Sequence, residues 1–312
     1  MTLTVAVQMD PLESIGIAGD STFALMLGAQ ARGHKLYHYL ADALTYQDER
    51  VYAGAFEASV QAVAGDHFRL GPFTILDLGK DVDVVLMRQD PPFDLGYITA
   101  THLLERIQDE TLVVNDPAAV RNSPEKLWVL DFARFMPPTV LTRSLGVARE
   151  FLKKHGASVL KPLHGNAGKA VFKIERDGAN LAPLMELFNV TYHEPHVLQA
   201  FLPEVAEGDK RIVLVDGEVA GAINRRPAAG DIRSNLAAGG TAEASELTGT
   251  ELEICTALGP ELKRRGLLFV GIDVIGGRWL TEINVTSPTG MMTSEGIGGK
   301  MVSRNIRKPI PR

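Results

Sequence analysis

The segment GLLFVGIDVIGGRWLTEINV, residues 266–285, restricts the possible folds more than any other. It reads as two apolar strands turning at Gly276 and Gly277, hence an antiparallel hairpin. Side chains alternate faces along a strand, so Glu282 and Asn284 share one face while Ile283 and Val285 enter a core. The short turn sets Asp273, on the first strand, level with Glu282 or Asn284. A lone carboxylate in so apolar a strand carries a large desolvation cost unless it is ion-paired or metal-bound. Pairing with Arg225 or Lys210 would meet that cost. Three oxygen donors on one face equally suit a hard cation, Mg2+ or Mn2+, whose remaining ligands are phosphates and waters. The coincidence of all three residues favours the cation.

The 312 residues are 45% hydrophobic and 22% charged, enough to bury a large core and form two or three domains. A net charge of -6 offers no general attraction for nucleic acid or an anionic membrane, so an anionic substrate needs local clusters of Lys and Arg. The chain has no long apolar run and no signal-peptide pattern, and a cytoplasmic protein is expected. The single cysteine, Cys255, excludes an intramolecular disulfide and reads as a packing residue in a helical run.

Strand and helix signals alternate at the start. LTVAVQM, KLYHYL, VDVVLMRQD and TLVVND resemble strands, and STFALMLGAQARGH and ITATHLLERIQDE resemble helices, with a turn-rich stretch between the second and third strands. This order predicts an open, largely parallel α/β sheet, with Asp10, Arg88 and Asp90 at the strand ends where such sheets bind ligands. From Ser123 a second unit begins: SPEKLWVLDFARF as a helix with Ser123 as N-cap, Pro124 at the first helical position and Glu125 in the first turn. PPTVLTRS follows as an edge strand, LGVAREFLKKHG as a helix, and SVLKPL pairs with AVFKIERDG. KRIVLVDGEVAGAINR makes a hairpin at Asp216 and Gly217, a Gly/Ala-rich stretch spans residues 227–241, and a helix runs from about 249 to 266.

The loop HGNAGK fits neither the Walker A nor the GxGxxG pattern. It is either a glycine lid whose N–H groups cover phosphates or a plain hairpin turn. Lys161 just before it and Lys126 in SPEKL supply two cations from separate segments, able to grip a polyphosphate. Arg211 and Arg225 sit at hairpin ends, and Arg233 follows beside Asn235. Such a cluster suits stabilisation of a transferring phosphoryl group.

These motifs, in order, resemble bacterial glutathione synthetase, a family of ATP-grasp ligases: MDP, DSTFALMLGAQARGH, LMRQDPPFD, NSPEKL, LKPLHGNAGK, GDKRIVLVDGE, RSNLAAGG, GLLFVGIDVIG and TEINVTSPTG. The resemblance implies an α/β, ATP-grasp fold: an N-terminal pre-ATP-grasp open parallel domain on the substrate side (1–122), a central lid subdomain (123–197) and a C-terminal subdomain (198–312) that clasps ATP with it. It implies ligation of gamma-L-glutamyl-L-cysteine to glycine through an acyl phosphate, with ATP as co-substrate and Mg2+ or Mn2+ as cofactor. Partners would be small molecules and further copies of the chain, as a dimer or tetramer, with no nucleic acid and no membrane. A ligase for another carboxylate and amine, or a nucleotide-binding protein with impaired turnover, are the alternatives.

By the same resemblance Lys126 and Lys161 contact phosphates beneath a lid of Gly165, Asn166, Gly168 and Lys169. The hinge of Gln199, Ala200, Phe201 and Leu202 receives adenine through its backbone, and Asp209 lies near the ribose. Asp273, Glu282 and Asn284 hold the metal, Arg211 and Arg225 stabilise developing charge, and residues 227–241 form a mobile substrate loop. Arg233, Asn235, Ser287 and Thr289 would meet substrate, although Pro288 makes a plain turn an equal account of the last two. Two features depart from the family: Ala167 stands where glycine is usual, and the end of the chain, MMTSEGIGGKMVSRNIRKPIPR, is basic where an acidic helix is usual.

Overall fold

In the computed structural model, which describes residues 2–228, 230–234 and 239–290, the apolar runs become three sheets flanked by helices. In the first sheet β1 (Thr4–Gln8), β2 (Lys35–Tyr39), β6 (Val84–Met87) and β7 (Leu112–Val114) run parallel, as expected. Helices α1 (Ser21–Gln30) and α2 (Leu95–Glu105) lie between them and α3 (Pro117–Arg121) follows β7, each begun by an aspartate, Asp20, Asp94 or Asp116, that accepts a backbone N–H of the first turn.

The stretch read as turns is instead β3 (Leu44–Gln47), β4 (Arg50–Val60) and β5 (Phe68–Asp77), antiparallel to one another and joined to β2. Its inward residues include the small Ala53 and Ala55, whereas Phe56, Phe73 and Ile75 face outward, so the usual contrast between buried and exposed positions is lost.

The helix read over SPEKLWVLDFARF also differs. Only one turn, α4 (Glu125–Trp128), is α-helical, and a 3-10 segment continues to Phe135 with a kink at Phe132. Pro124 occupies the N-cap position, and Ser123 instead accepts a hydrogen bond from Arg265 at 3.1 Å. Trp128, Val129, Phe135 and Met136 are drawn into a core with the first and third sheets, which breaks the helical register.

The middle of the chain forms β8 (Thr139–Thr142), α5 (Leu145–His155), β9 (Ser158–Lys161), β10 (Phe172–Ile174), α6 (Leu181–Thr191) and β11 (His196–Ala200). Its antiparallel sheet has the order β10-β9-β11-β8, with β8 at an edge as expected. The third sheet, also antiparallel, has the order β14-β13-β12-β15-β16. It comprises β12 (Asp209–Val215), β13 (Glu218–Arg226), β14 (Thr241–Ala244), β15 (Phe269–Ile275) and β16 (Trp279–Asn284), with α7 (Gly249–Arg264) against it. Thr248 and Glu251 form a reciprocal capping box at the start of α7.

The cores divide the molecule in an instructive way. One apolar cluster joins Ala6, Tyr39 and Val85 of the first sheet to Ile212, Ile272 and Ile283 of the third through Trp128 and Phe135. The middle sheet has its own, built from Leu152, Leu160, Met185, Phe188 and Leu198. Residues 125–136, which the sequence reading placed at the head of the lid subdomain, therefore pack with the platform, and the separately packed unit begins near Thr139.

Cys255 is buried in the shared core, and desolvation pushes its thiol up to about 12. The native protein is therefore expected to resist thiol labelling at neutral pH, and denaturation should release one reactive group. Rapid labelling of the folded protein would contradict this packing.

Candidate active site

The sheet register assembles the site. On β15 and β16 Asp273 stands opposite Glu282, with a bulge just after Asp273, and Asn284 lies opposite Gly271. On the other side of β15, Arg211 of β12 pairs with Asp273, while Asp209 of β12 pairs with Arg225 of β13. Directly opposed residues share a face, so the hairpin's expected polar face extends across four strands. Gly271 makes room for it: a Cβ there would lie 2.9 Å from both Arg211 Cδ and Pro288 Cβ.

Asp273 is buried and held by two guanidiniums. Arg211 donates to it through Nε at 2.5 Å and Nη2 at 2.9 Å, and Arg225 Nη2 lies 3.0 Å from its Oδ1. Burial alone would raise this carboxyl, but the two arginines outweigh it and hold it well below the usual range. Asn284 donates to its Oδ2 at 3.4 Å. The pairing with Arg225 weighed from sequence is thus present, and Arg211 adds a second partner.

Glu282 anchors the other half. Lys126 and Lys161 reach it from α4 and β9, each 3.4 Å from the same Oε1. Burial works against all three charges; the two ammoniums nevertheless hold Glu282 below its ordinary value, and burial prevails at Lys161, whose pKa falls. Lys126 also donates to the carbonyl of Gly165 at 2.6 Å, which brings the glycine loop to the site. At Gly165 a Cβ would lie 2.4 Å from Pro162, so the loop's approach requires glycine.

A cavity open to solvent lies between the middle and third sheets. It is lined by Lys126, Lys161, Gly165, Asn166, Gly168, Lys169, Gln199, Ala200, Phe201, Leu202, Asp209, Arg233, Asp273 and Glu282. At the hinge the N–H groups of Ala200 and Phe201 are already bonded to Pro138 and Ala157 carbonyls, at 2.9 Å each. Asp209 accepts from Arg225 at 2.7 Å and Ser234 at 2.9 Å, while its other oxygen is buried with no donor. Desolvation raises this carboxyl to about 6.

The remaining expected site residues are placed less directly. Arg233 is occupied by Asp231 of its own loop at 2.7 Å. Ser287 donates to Asp90 at 2.6 Å, and the Thr289 carbonyl accepts from Arg211 at 3.2 Å. Asn235 and the basic end of the chain, 291–312, lie outside the described residues. Arg88 was visible in sequence only as a strand end. It is fully enclosed, donates to Thr22 and to the Pro288 carbonyl at 3.0 Å each, and leaves Nη1 unpaired; desolvation lowers it to about 10. Glu125 was read as a helix-start residue, yet it faces this region and accepts from Thr286 at 3.2 Å.

A paired cation system beneath a glycine loop, facing an open cavity, suits the binding of a polyphosphate. Two family models match: "Prokaryotic glutathione synthetase, N-terminal domain" over residues 3–121 and "Prokaryotic glutathione synthetase, ATP-grasp domain" over 125–297. The chain belongs to the prokaryotic glutathione synthetase family. Among its relatives, the glutathione synthetase of Rhodopseudomonas palustris is 56% identical over 306 residues, covering 98% of this chain and 97% of the relative. That of Bradyrhizobium diazoefficiens is likewise 56% identical with the same coverage. In structure, the chain is similar to D-cycloserine synthetase DcsG, with a TM-score of 0.66 at 15% identity and 96% and 97% of the two chains covered. This likeness shows the ATP-grasp fold.

In the glycine loop Ala167 takes a left-handed φ of 53°. Alanine tolerates that conformation at a modest cost; a β-branched residue does not. Ala167→Val is expected to raise the KM for ATP several-fold with little change in thermal stability. An unchanged KM would mean that the loop keeps no such conformation over nucleotide.

The donor set also fits a divalent cation. Glu282, Asn284 and Asp273 present only oxygen donors to a hard ion, although both Asp273 oxygens already accept from arginine. Among the described residues no cluster of three His, Cys, Asp or Glu side chains forms a ready-made metal cage. That suits an ion bound by a few side chains together with phosphates. No helix of the described residues is long and apolar enough to cross a membrane.

Proposed function

We propose that the protein joins gamma-L-glutamyl-L-cysteine to glycine at the expense of ATP, giving glutathione, ADP and phosphate. The observation that carries this reading is the convergence of Lys126 and Lys161 on one oxygen of Glu282, under the glycine loop and beside the large cavity. Incoming phosphates offer the two lysines stronger partners than a shared carboxylate oxygen at 3.4 Å. Lys126 and Lys161 bind the phosphates, residues of the 165–169 loop cover them, and the hinge and Asp209 hold the nucleoside.

Glu282 and Asn284, with Asp273, would hold Mg2+ or Mn2+, which when bound neutralises phosphate charge. Arg211 and Arg225 are fixed by Asp273 and face the place where charge develops. The cysteinyl carboxylate attacks the γ-phosphorus of ATP and ADP leaves. The glycine amine then forms the amide bond as phosphate departs with the C–O electron pair and the amine loses its protons. Enclosure by the loop keeps water from the acyl phosphate. The reading extends to a cytoplasmic homo-oligomer acting on small molecules alone.

Phosphate release tests it, measured with ATP, Mg2+ and gamma-glutamylcysteine, with and without glycine. Sustained release that needs both substrates is expected. Release with other amino acids alone would point to a different ligase, and tight ATP binding without release to a nucleotide-binding protein.

A further inference from the structure

A second, smaller cavity opens beside the nucleotide cavity and shares Asn166 with it. Its walls come from four distant parts of the chain: Pro91 and Phe93 after β6, Glu125 at the start of α4, Leu163 and His164 before the glycine loop, and Thr286 after the metal strand. Phe93 and His164 face one another with ring centres 5.9 Å apart, closing one side. The charged side chain on this wall is Glu125. Thr286 donates to its Oε1 at 3.2 Å, the single hydrogen bond made to this carboxylate among the described residues, so Oε2 is left to the cavity. The ammoniums of Lys126 and Lys161 make their ion-pair contacts with Glu282 and not with this carboxylate.

We propose that Glu125 receives the ammonium group of the amine substrate, holding it in the smaller cavity next to the acyl phosphate. This rests on the ligase reading above. The charges fit: phosphate, substrate carboxylates and the acyl phosphate are anionic, and of the two substrate ammonium groups the glutamyl one sits at the far end of the dipeptide from the reacting carboxyl, whereas that of the incoming amine must reach the acyl phosphate beside the glycine loop, where this carboxylate lies. Burial pushes His164 toward its neutral form, so it does not compete for the carboxylate, and the face of Phe93 tolerates a cation. The cavity is small, which disfavours an amine substrate with a long side chain. Its composition also explains why both the first domain and the lid are needed, since each contributes a wall.

The test compares two nucleophiles. Glycine arrives as an ammonium ion, whereas hydroxylamine is largely uncharged at neutral pH and traps the acyl phosphate as a hydroxamate. In Glu125→Gln the ratio of glycine-dependent to hydroxylamine-dependent turnover is expected to fall at least tenfold, with the loss seen as a higher KM for glycine. Glu125→Asp, which keeps the charge on a shorter arm, should give an intermediate ratio. An unchanged ratio in Glu125→Gln overturns the assignment. Should that variant fail to fold, an unchanged ratio in Glu125→Asp overturns it equally. Failure of the wild-type protein to form any hydroxamate from gamma-glutamylcysteine and ATP would instead reject the ligase reading itself.

Discussion

Glu282→Gln is expected to lower turnover by on the order of a thousandfold while the protein stays folded, because the residue serves three cations at once. Its carboxylate is shared by Lys126 and Lys161 and, in the function proposed above, also donates to the divalent ion. A glutamine keeps the shape and one oxygen but removes the charge that balances the two ammoniums. The lysines would then repel one another, and Lys161, already depressed by burial, would release its proton more readily. The fold should survive, because Glu282 borders the cavity and water can take its place. Phosphate release with both substrates measures the first effect and circular dichroism the second. Normal turnover in this variant would remove Glu282 from the site.

Asp273→Asn should show the opposite balance, with a large cost to stability. The substitution leaves Arg211 and Arg225, both buried, facing a neutral amide. Removing one partner of a buried ion pair typically costs about 3–5 kcal/mol. Loss of activity would accompany it, since the guanidiniums would no longer be fixed. Acid should act similarly. The Asp273 pKa is depressed in the folded state, so its contribution is fully present above the unfolded value, about 4, and is lost as pH falls through the folded one. A melting series from pH 7 to pH 2 should therefore decline more steeply for the native protein than for Asp273→Asn. Parallel curves would contradict the account.

What could be read from sequence depended on whether neighbours in space were also neighbours in pattern. The hairpin of β15 and β16 was legible because alternation and a two-glycine turn determine which residues share a face. Alternation failed for β4 and β5, where alanines face the core and phenylalanines face outward. Arg211 and Arg225 were expected to stabilise charge and Asp273 to hold a metal, with an Asp273–Arg225 pair as the alternative, but the contact of Asp273 with Arg211 needs the register of β12 against β15. The smaller cavity left no local trace, being assembled from residues near 92, 125, 164 and 286. Glu125 was overlooked for a related reason: at a helix start an acidic residue has an adequate local explanation.

The division of cores also bears on how the chain is completed during synthesis. The middle unit draws its core from one continuous stretch ending at Leu198, so it can close as soon as that stretch has emerged. The platform cannot. Its core joins Ala6 and Val85 to Leu280, Ile283 and Val285, and it must wait for nearly the last described strand. Until then the first sheet exposes the apolar face that the third will cover. The residues that complete the platform are also those that carry Glu282 and Asn284, so a chain truncated before β16 would lack these two proposed metal ligands and part of its largest core together.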